Sequence, residues 1–128
     1  MLQKESWVYI TDNTNVCWIK IFHLYKGFFR KTTKPGSFVK GSAQIVNPPR
    51  LEYKGFKYKF KIKGDIVRSC FIRGNNTILY SDKKNLRFNN NASILINKKF
   101  NILSKYLNGP LSKSVRIKKL VSLFKIII

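Results

Sequence analysis

Short runs of alternating apolar and polar residues, broken by Gly, Asn, Asp, Ser and Pro, fill the chain up to Ile96. Successive side chains of a strand point to opposite faces, so this spacing predicts strands. They are expected at 6–10, Val16–Leu24, Phe38–Val46, 66–67 continuing into 70–72, 78–80, 86–88 and 93–96. In Val16–Leu24, the side chains of Cys17, Ile19, Ile21 and His23 are expected on one face, and Trp18, Lys20, Phe22 and Leu24 on the other. Gly41, Ser42 and Ala43 leave room for a close neighbour or a bulge. Turns are expected at 11–15, 35–36, 47–49, 64–65, 74–77, 81–84 and 89–91. Many short strands at this spacing indicate an all-β barrel or sandwich, and closure into a barrel leaves no exposed edge.

The strongest alternation lies in 53–73. Phe56, Tyr58, Phe60 and Ile62 alternate with Lys57, Lys59, Lys61 and Lys63, so a strand here has an oily face and a cationic face. Gly64-Asp65 then turns the chain into a more apolar strand. The tail changes character. After Pro110, Leu111 and Val115, Ile117 and Val121, and Leu120 and Phe124 are each four apart, which predicts one or two short helices.

Charge narrows the possible functions. The 128 residues suit one domain with a real core, and 44% are apolar. Against 26 Lys and Arg stand 5 Asp and Glu, a net charge of +21. Internal pairing cannot absorb that excess, and self-repulsion opposes compaction unless a polyanion is near. Nucleic acid is the first expected partner and an anionic membrane surface the second. No apolar run approaches the ~18 residues of a membrane span, so no membrane insertion is expected. No secretory signal is expected, because residues 1–10 carry Lys4 and Glu5 and no apolar run of useful length. Cys17 and Cys70 sit in apolar runs and read as free thiols, since two cysteines make neither a disulfide framework nor a zinc site. Lys outnumbers Arg 20 to 6, although Arg is the better fork for phosphate. Lys, Asn, Ile, Phe and Tyr make up 63 of 128 residues. These residue types have A/T-rich codons, a bias expected of an organelle genome or an A/T-rich bacterium.

Catalytic chemistry has no foothold. The only histidine, His23, lies between Phe22 and Leu24, and the acids are scattered. Asp12, Asp65 and Asp82 each fall in a turn, where side chain to backbone hydrogen bonds are the ordinary role. There is no Gly-rich phosphate loop, nucleophile elbow or set of paired metal ligands. No enzyme activity, cofactor or metal is expected.

From Lys63 onward the chain resembles the family of the universal large-subunit ribosomal protein fourteen. The resemblance rests on Lys63-Gly64-Asp65 and the strand ending at Arg73, on Asp82, on Arg87, Phe88, Asn91, Ala92, Leu95, Ile96 and Asn97, on Gly109-Pro110, and on Val121-Ser122-Leu123. Met1-Leu2-Gln3 and Asp12-Asn13 resemble the family's opening. There are departures. Lys83 stands where the family has Gly, Thr14-Asn15 replaces Ser-Gly, Asn89-Asn90 replaces an acidic pair, and the segment between Pro49 and Gly64 is longer. Together with the codon-like bias they suggest a divergent, organelle-encoded member in a mitochondrial ribosome.

The resemblance implies a single domain over 1–128. A five-stranded closed barrel at 1–97 would carry a hairpin extension near 50–63, with a loop and two short helices at 98–128. It implies binding to large-subunit rRNA at the subunit interface, an intersubunit bridge to small-subunit rRNA, neighbouring ribosomal proteins and, for some members, a ribosome-silencing factor. The candidate phosphate contacts are Lys20, Arg30, Lys31, Lys34, Lys57, Lys59, Lys61, Lys63, Arg73, Arg87, Lys113, Arg116, Lys118 and Lys119. Asp12, Asn13, Gly64, Asp65, Asp82, Phe88, Asn91, Gly109 and Pro110 are the structural positions of the family motif. Two rivals remain. A free-standing RNA-chaperone barrel would need Phe56, Tyr58 and Phe60 exposed for base stacking. A cationic membrane-surface protein would need a strong amphipathic helix.

Overall fold

The structure, a computed structural model, describes residues 2–25, 27, 29–48, 60–104, 106–115 and 124–128. Its strands are β1 (Leu2–Gln3), β2 (Trp7–Ile10), β3 (Val16–Leu24), β4 (Thr32–Thr33), β5 (Phe38–Val46), β6 (Ile66–Arg73), β7 (Ile78–Leu79), β8 (Asn85–Leu86), β9 (Ala92–Ile96), β10 (Pro110–Leu111) and β11 (Ile126–Ile127). Strands β2, β3, β5, β6 and β9 close a five-stranded barrel in that order. Its neighbours are antiparallel except β2 and β9, which run parallel and close the seam. The alternation therefore produces the expected closed barrel.

Two cores form on the two sides of β6 and β9. Inside the barrel, Val8, Ile10, Ile19, Ile21, Val39, Ala43, Val67, Phe71 and Leu95 pack together. Outside it, Cys70, Ile72, Ile94 and Ile96 pack against Leu107, Leu111, Val115 and Phe124. That second core explains why every residue of β9 is buried. Covering both faces of a strand removes the polar alternation an exposed sheet shows.

Three sequence expectations need correction. The faces of β3 are not strictly alternating. Register shifts against β5 lie between Val16 and Trp18, between Trp18 and Ile19, and between Ile21 and His23. An extra residue at a bulge turns the following side chains over. Val16 and Leu24 thus join Ile19 and Ile21 in the core, while His23 is exposed with its ring against Tyr25.

No helix occurs among the described residues. Pro110–Leu111 forms β10, which pairs in parallel with β11 where a helical first turn was expected. Ser112 Oγ accepts the Ser114 N–H (3.2 Å), and the Val115 N–H donates to the Ser112 carbonyl (3.1 Å). Serine side chains that engage nearby backbone compete with helix formation. Leu111 and Val115 share a spacing of four because both drop into the outer core. The rest of the expected helix, 116–123, lies outside the described residues.

Residues 60–63 are not in a strand, and Ile62 is 68% exposed instead of facing a core. Two bonds tighten a turn here: the Asp65 N–H donates to the Ile62 carbonyl (3.2 Å), and Asp65 Oδ2 accepts the Ile62 N–H (3.0 Å). Gly64 sits in this turn at φ 93°. The remainder of the expected hairpin, 50–59, lies outside the described residues.

The small residues of β5 have a reason. A Cβ on Gly41 would lie 2.6 Å from the Lys20 carbonyl oxygen. Gly41→Ala should therefore force β3 and β5 apart and cost about 1–3 kcal/mol, the usual penalty for overpacking. Urea melts test this, and an unchanged midpoint would contradict it. Burial pushes the Cys70 thiol up to about 12. The folded thiol stays protonated where the unfolded one ionises, so its contribution to stability is complete below pH ~9 and falls as pH rises toward 12. At pH 8 an alkylating reagent should modify half-buried Cys17 and spare Cys70 until urea unfolds the chain. Mass spectrometry of the peptides reads this directly.

Candidate nucleic-acid interface

The barrel's outward positions form lateral rows across its strands. Trp7, Lys20, Ser42 and Ile66 are successive register partners on β2, β3, β5 and β6. Tyr9, Trp18 and Ile45 form a second row, and His23, Lys40, Arg68 and Ile96 a third. The face mixes cations with large rings. Trp7, Tyr9 and Phe22 are exposed, and the Tyr9 and Trp18 rings meet edge-on at 5.5 Å. Sequence reasoning passed over Trp7 and Tyr9, and it missed Lys40 and Arg68. Their outward positions on strands were the available signal, but only the register shows that they adjoin.

The candidate phosphate contacts divide by what holds them. Lys20 pairs with Glu5 at 2.7 Å on the surface, an interaction worth little in water. Lys31, Lys34, Lys63 and Lys113 are exposed. Arg30 donates from Nε to the Thr32 carbonyl (2.9 Å), which ties the loop to β4. Arg87 is exposed and donates from Nε to Asn75 Oδ1 (3.1 Å). Arg73 is half-buried, and its guanidinium lies so close to Gly109 that any Cβ there would collide with it. Burial lowers the Arg73 pKa, with Tyr9 acting in the opposite direction. Arg73 thus packs the C-terminal segment onto the barrel, a positioning role that sequence reasoning did not give it. Lys57, Lys59, Arg116, Lys118 and Lys119 lie outside the described residues.

The motif positions do structural work. Asp12 is buried (7% exposed) although it sits in a turn. One oxygen accepts the Leu95 N–H (2.8 Å), and the other accepts the N–H and hydroxyl of Thr14. Burial pushes its carboxyl up, while these bonds from the Thr14 hydroxyl and the Leu95 and Thr14 N–H groups pull it down. The Asn13 N–H donates to Ser104 Oγ (3.3 Å). Asn91 Oδ1 accepts the Asn75 N–H (2.9 Å), and Phe88 beside this corner is half-buried. Asp82 is exposed and accepts from the Ser81 hydroxyl (3.1 Å). Gly64 and Gly109 have φ of 93° and 85°, and Pro110 opens β10. Lys83 adopts φ 61°, the left-handed backbone a glycine takes without strain. The turn keeps a glycine's conformation with a lysine in it.

Asn15 is the residue that reading the turn as Thr14-Asn15 left unexplained. It is 4% exposed. Its Nδ2 donates to the Lys61 carbonyl (2.7 Å) and the Asn47 carbonyl (3.3 Å), and its Oδ1 accepts the Lys61 N–H (3.2 Å). One side chain therefore fastens Asn47 and Lys61, which flank residues 48–60, to the start of β3.

Among the described residues no group of three or more His, Cys, Asp or Glu could hold a metal ion. Fold and surface define a small, strongly basic closed-barrel protein whose outer face presents cations and aromatic rings. The family model for ribosomal protein L14p/L23e matches residues 1–128, the whole chain. The chain belongs to this family, whose members are structural proteins of the large ribosomal subunit.

The Asn15 clamp has a measurable consequence. Asn15→Gly should cost about 3 kcal/mol, from three side-chain bonds worth roughly 1 kcal/mol each. It should also expose the bonds after Lys61 and Lys63 to trypsin under native conditions. Unaltered cleavage at those two sites would show that the clamp does not hold this segment.

Proposed function

We propose that the protein binds large-subunit rRNA by its cationic outer face, at the subunit interface of a mitochondrial ribosome. The observation that carries this is a net charge of +21 on a closed barrel. The one ion pair among the described residues is Lys20 with Glu5, so the remaining described cations have no internal carboxylate partner. Lysines and arginines at this density displace counterions from an RNA backbone. Backbone contacts set the register, and the shape of the RNA does most of the selection.

Lys20, Arg30, Lys31, Lys34, Lys61, Lys63, Arg87 and Lys113 are the described side chains proposed to meet phosphate. Lys57, Lys59, Arg116, Lys118 and Lys119 are proposed with them from the sequence. Arg73 is proposed with them, its guanidinium also packing against Gly109. A bridge to small-subunit rRNA, contacts with neighbouring ribosomal proteins and docking of a silencing factor belong to the same proposal. The mitochondrial assignment rests on the Lys-, Asn- and Ile-rich composition.

The test is affinity of the full chain for a large-subunit rRNA fragment as salt rises. A protein making about 6–10 phosphate contacts loses roughly 10³–10⁵ in affinity between 50 and 200 mM salt. Loss of that order is expected, together with co-sedimentation with the large subunit in a gradient. Affinity that stays flat with salt, or a protein confined to free fractions, would contradict the proposal.

A further inference from the structure

A cavity of about 450 Å³ opens at the end of the barrel, between the start of β6, the end of β9 and the loop that follows it. Its floor is apolar. Val67 and Leu95 belong to the interior core, and Leu103 packs against that core from the loop. Ile66, 66% exposed, and Ile96 add apolar wall. Four of its lining residues are cationic: Lys40, Lys61, Arg68 and Lys98. No carboxylate lines it among the described residues. An oily floor beneath four cations with no anion is not a finished surface.

The polar groups around it are held in place. Arg68 Nη1 donates to the Lys98 carbonyl (3.4 Å), which tethers the guanidinium beside the cavity. Asn97 Oδ1 accepts the N–H groups of Lys99 and Asn101 (2.9 Å each), which orients that side chain and leaves its Nδ2 as a donor. Asn15 pins the backbone of Lys61 through both its N–H and its carbonyl. The volume falls within the ~300–1,000 Å³ of sites that enclose small ligands.

The geometry points to a pocket for a single unstacked nucleotide, with its base on the apolar floor and its phosphate among the four cations. A base has apolar faces, and guanidinium groups stack on such faces. Its edge needs a few hydrogen-bonding groups, which Asn97 Nδ2 supplies. The phosphate needs charge without a competing carboxylate, and the lining supplies that. The inference rests on the rRNA-binding proposal above and adds to it a bulged or splayed nucleotide as the preferred feature.

The test uses the full chain and two RNA hairpins of one sequence, differing by a single bulged purine. Fluorescence anisotropy near physiological salt should show the bulged hairpin binding about tenfold tighter. Arg68→Ala and Lys98→Ala, which leave the apolar floor intact, should remove that preference. They should cost the fully paired hairpin no more than a few-fold. Leu103→Trp, which fills the floor, should remove the preference with the charges intact. Millimolar AMP should compete with the bulged hairpin, and an aspartate-rich peptide of equal charge should compete less. Equal affinity for the two hairpins would overturn the pocket and leave rRNA binding standing. So would a preference that survives in all three variants, or stronger competition from the acidic peptide. Binding to neither hairpin would overturn both.

Discussion

One buried carboxylate continues the seam that closes the barrel. The β2–β9 seam is parallel and short, with Tyr9 opposite Ala92 and Ile10 opposite Ser93. The Tyr9 N–H reaches the Asn91 carbonyl and the Thr11 N–H the Ser93 carbonyl, both at 3.1 Å. Beyond that point β2 turns away, and the Leu95 N–H, in a residue 1% exposed, would have no strand to pair with. Asp12 Oδ2 takes that donor at 2.8 Å and so replaces the missing strand. Three donors converge on two oxygens, which an acceptor-only carboxylate satisfies and an amide does not. The seam also anchors the tail, because Asp12 bridges to Leu107 and the Asn108 N–H donates to the Thr11 carbonyl (3.0 Å). The outer core over β6 and β9 is assembled on that attachment.

On this scaffold, charge sets the conditions for stability and binding together. A net +21 works against compactness in the free chain. β-closure resists it, since closing the sheet pairs the edges of all five barrel strands. The same cations that strain the free protein are the ones available to phosphate. Fold and partner are thus coupled through one set of charges. The Asn15 clamp fits this arrangement: it fastens Asn47 and Lys61 together beside the cavity to which Lys61 contributes.

The barrel strands were legible because alternation is local. Val16–Leu24, Phe38–Val46 and the Gly64-Asp65 turn follow from residues that speak for themselves. What depends on a distant partner was not legible. Asp12 looked like an ordinary turn residue because its third donor, Leu95, is 83 positions away. The bulges of β3 are set by β5 and inverted the side chosen for His23. Leu111 and Val115 imitated helical spacing because an outer core, invisible in the local pattern, buries both. Among the cations, the loop lysines singled out by sequence are exposed, but sequence could not separate them from Arg73, whose place on Gly109 is a tertiary contact. Nor could it bring Lys40, Arg68 and Lys98 to one cavity, because that convergence comes from strand register.

The central claim, that one set of charges opposes folding alone and drives binding to RNA, is tested most directly by thermal melts across a salt series. The full chain would be melted with and without a large-subunit rRNA fragment. Screening should raise the Tm of the free protein, because it relieves self-repulsion. It should lower the Tm of the complex toward that of the free protein, because it weakens the counterion-release contribution to binding. Opposite slopes that converge at high salt are the predicted result. Slopes of the same sign, or a free protein whose Tm ignores salt, would contradict the account.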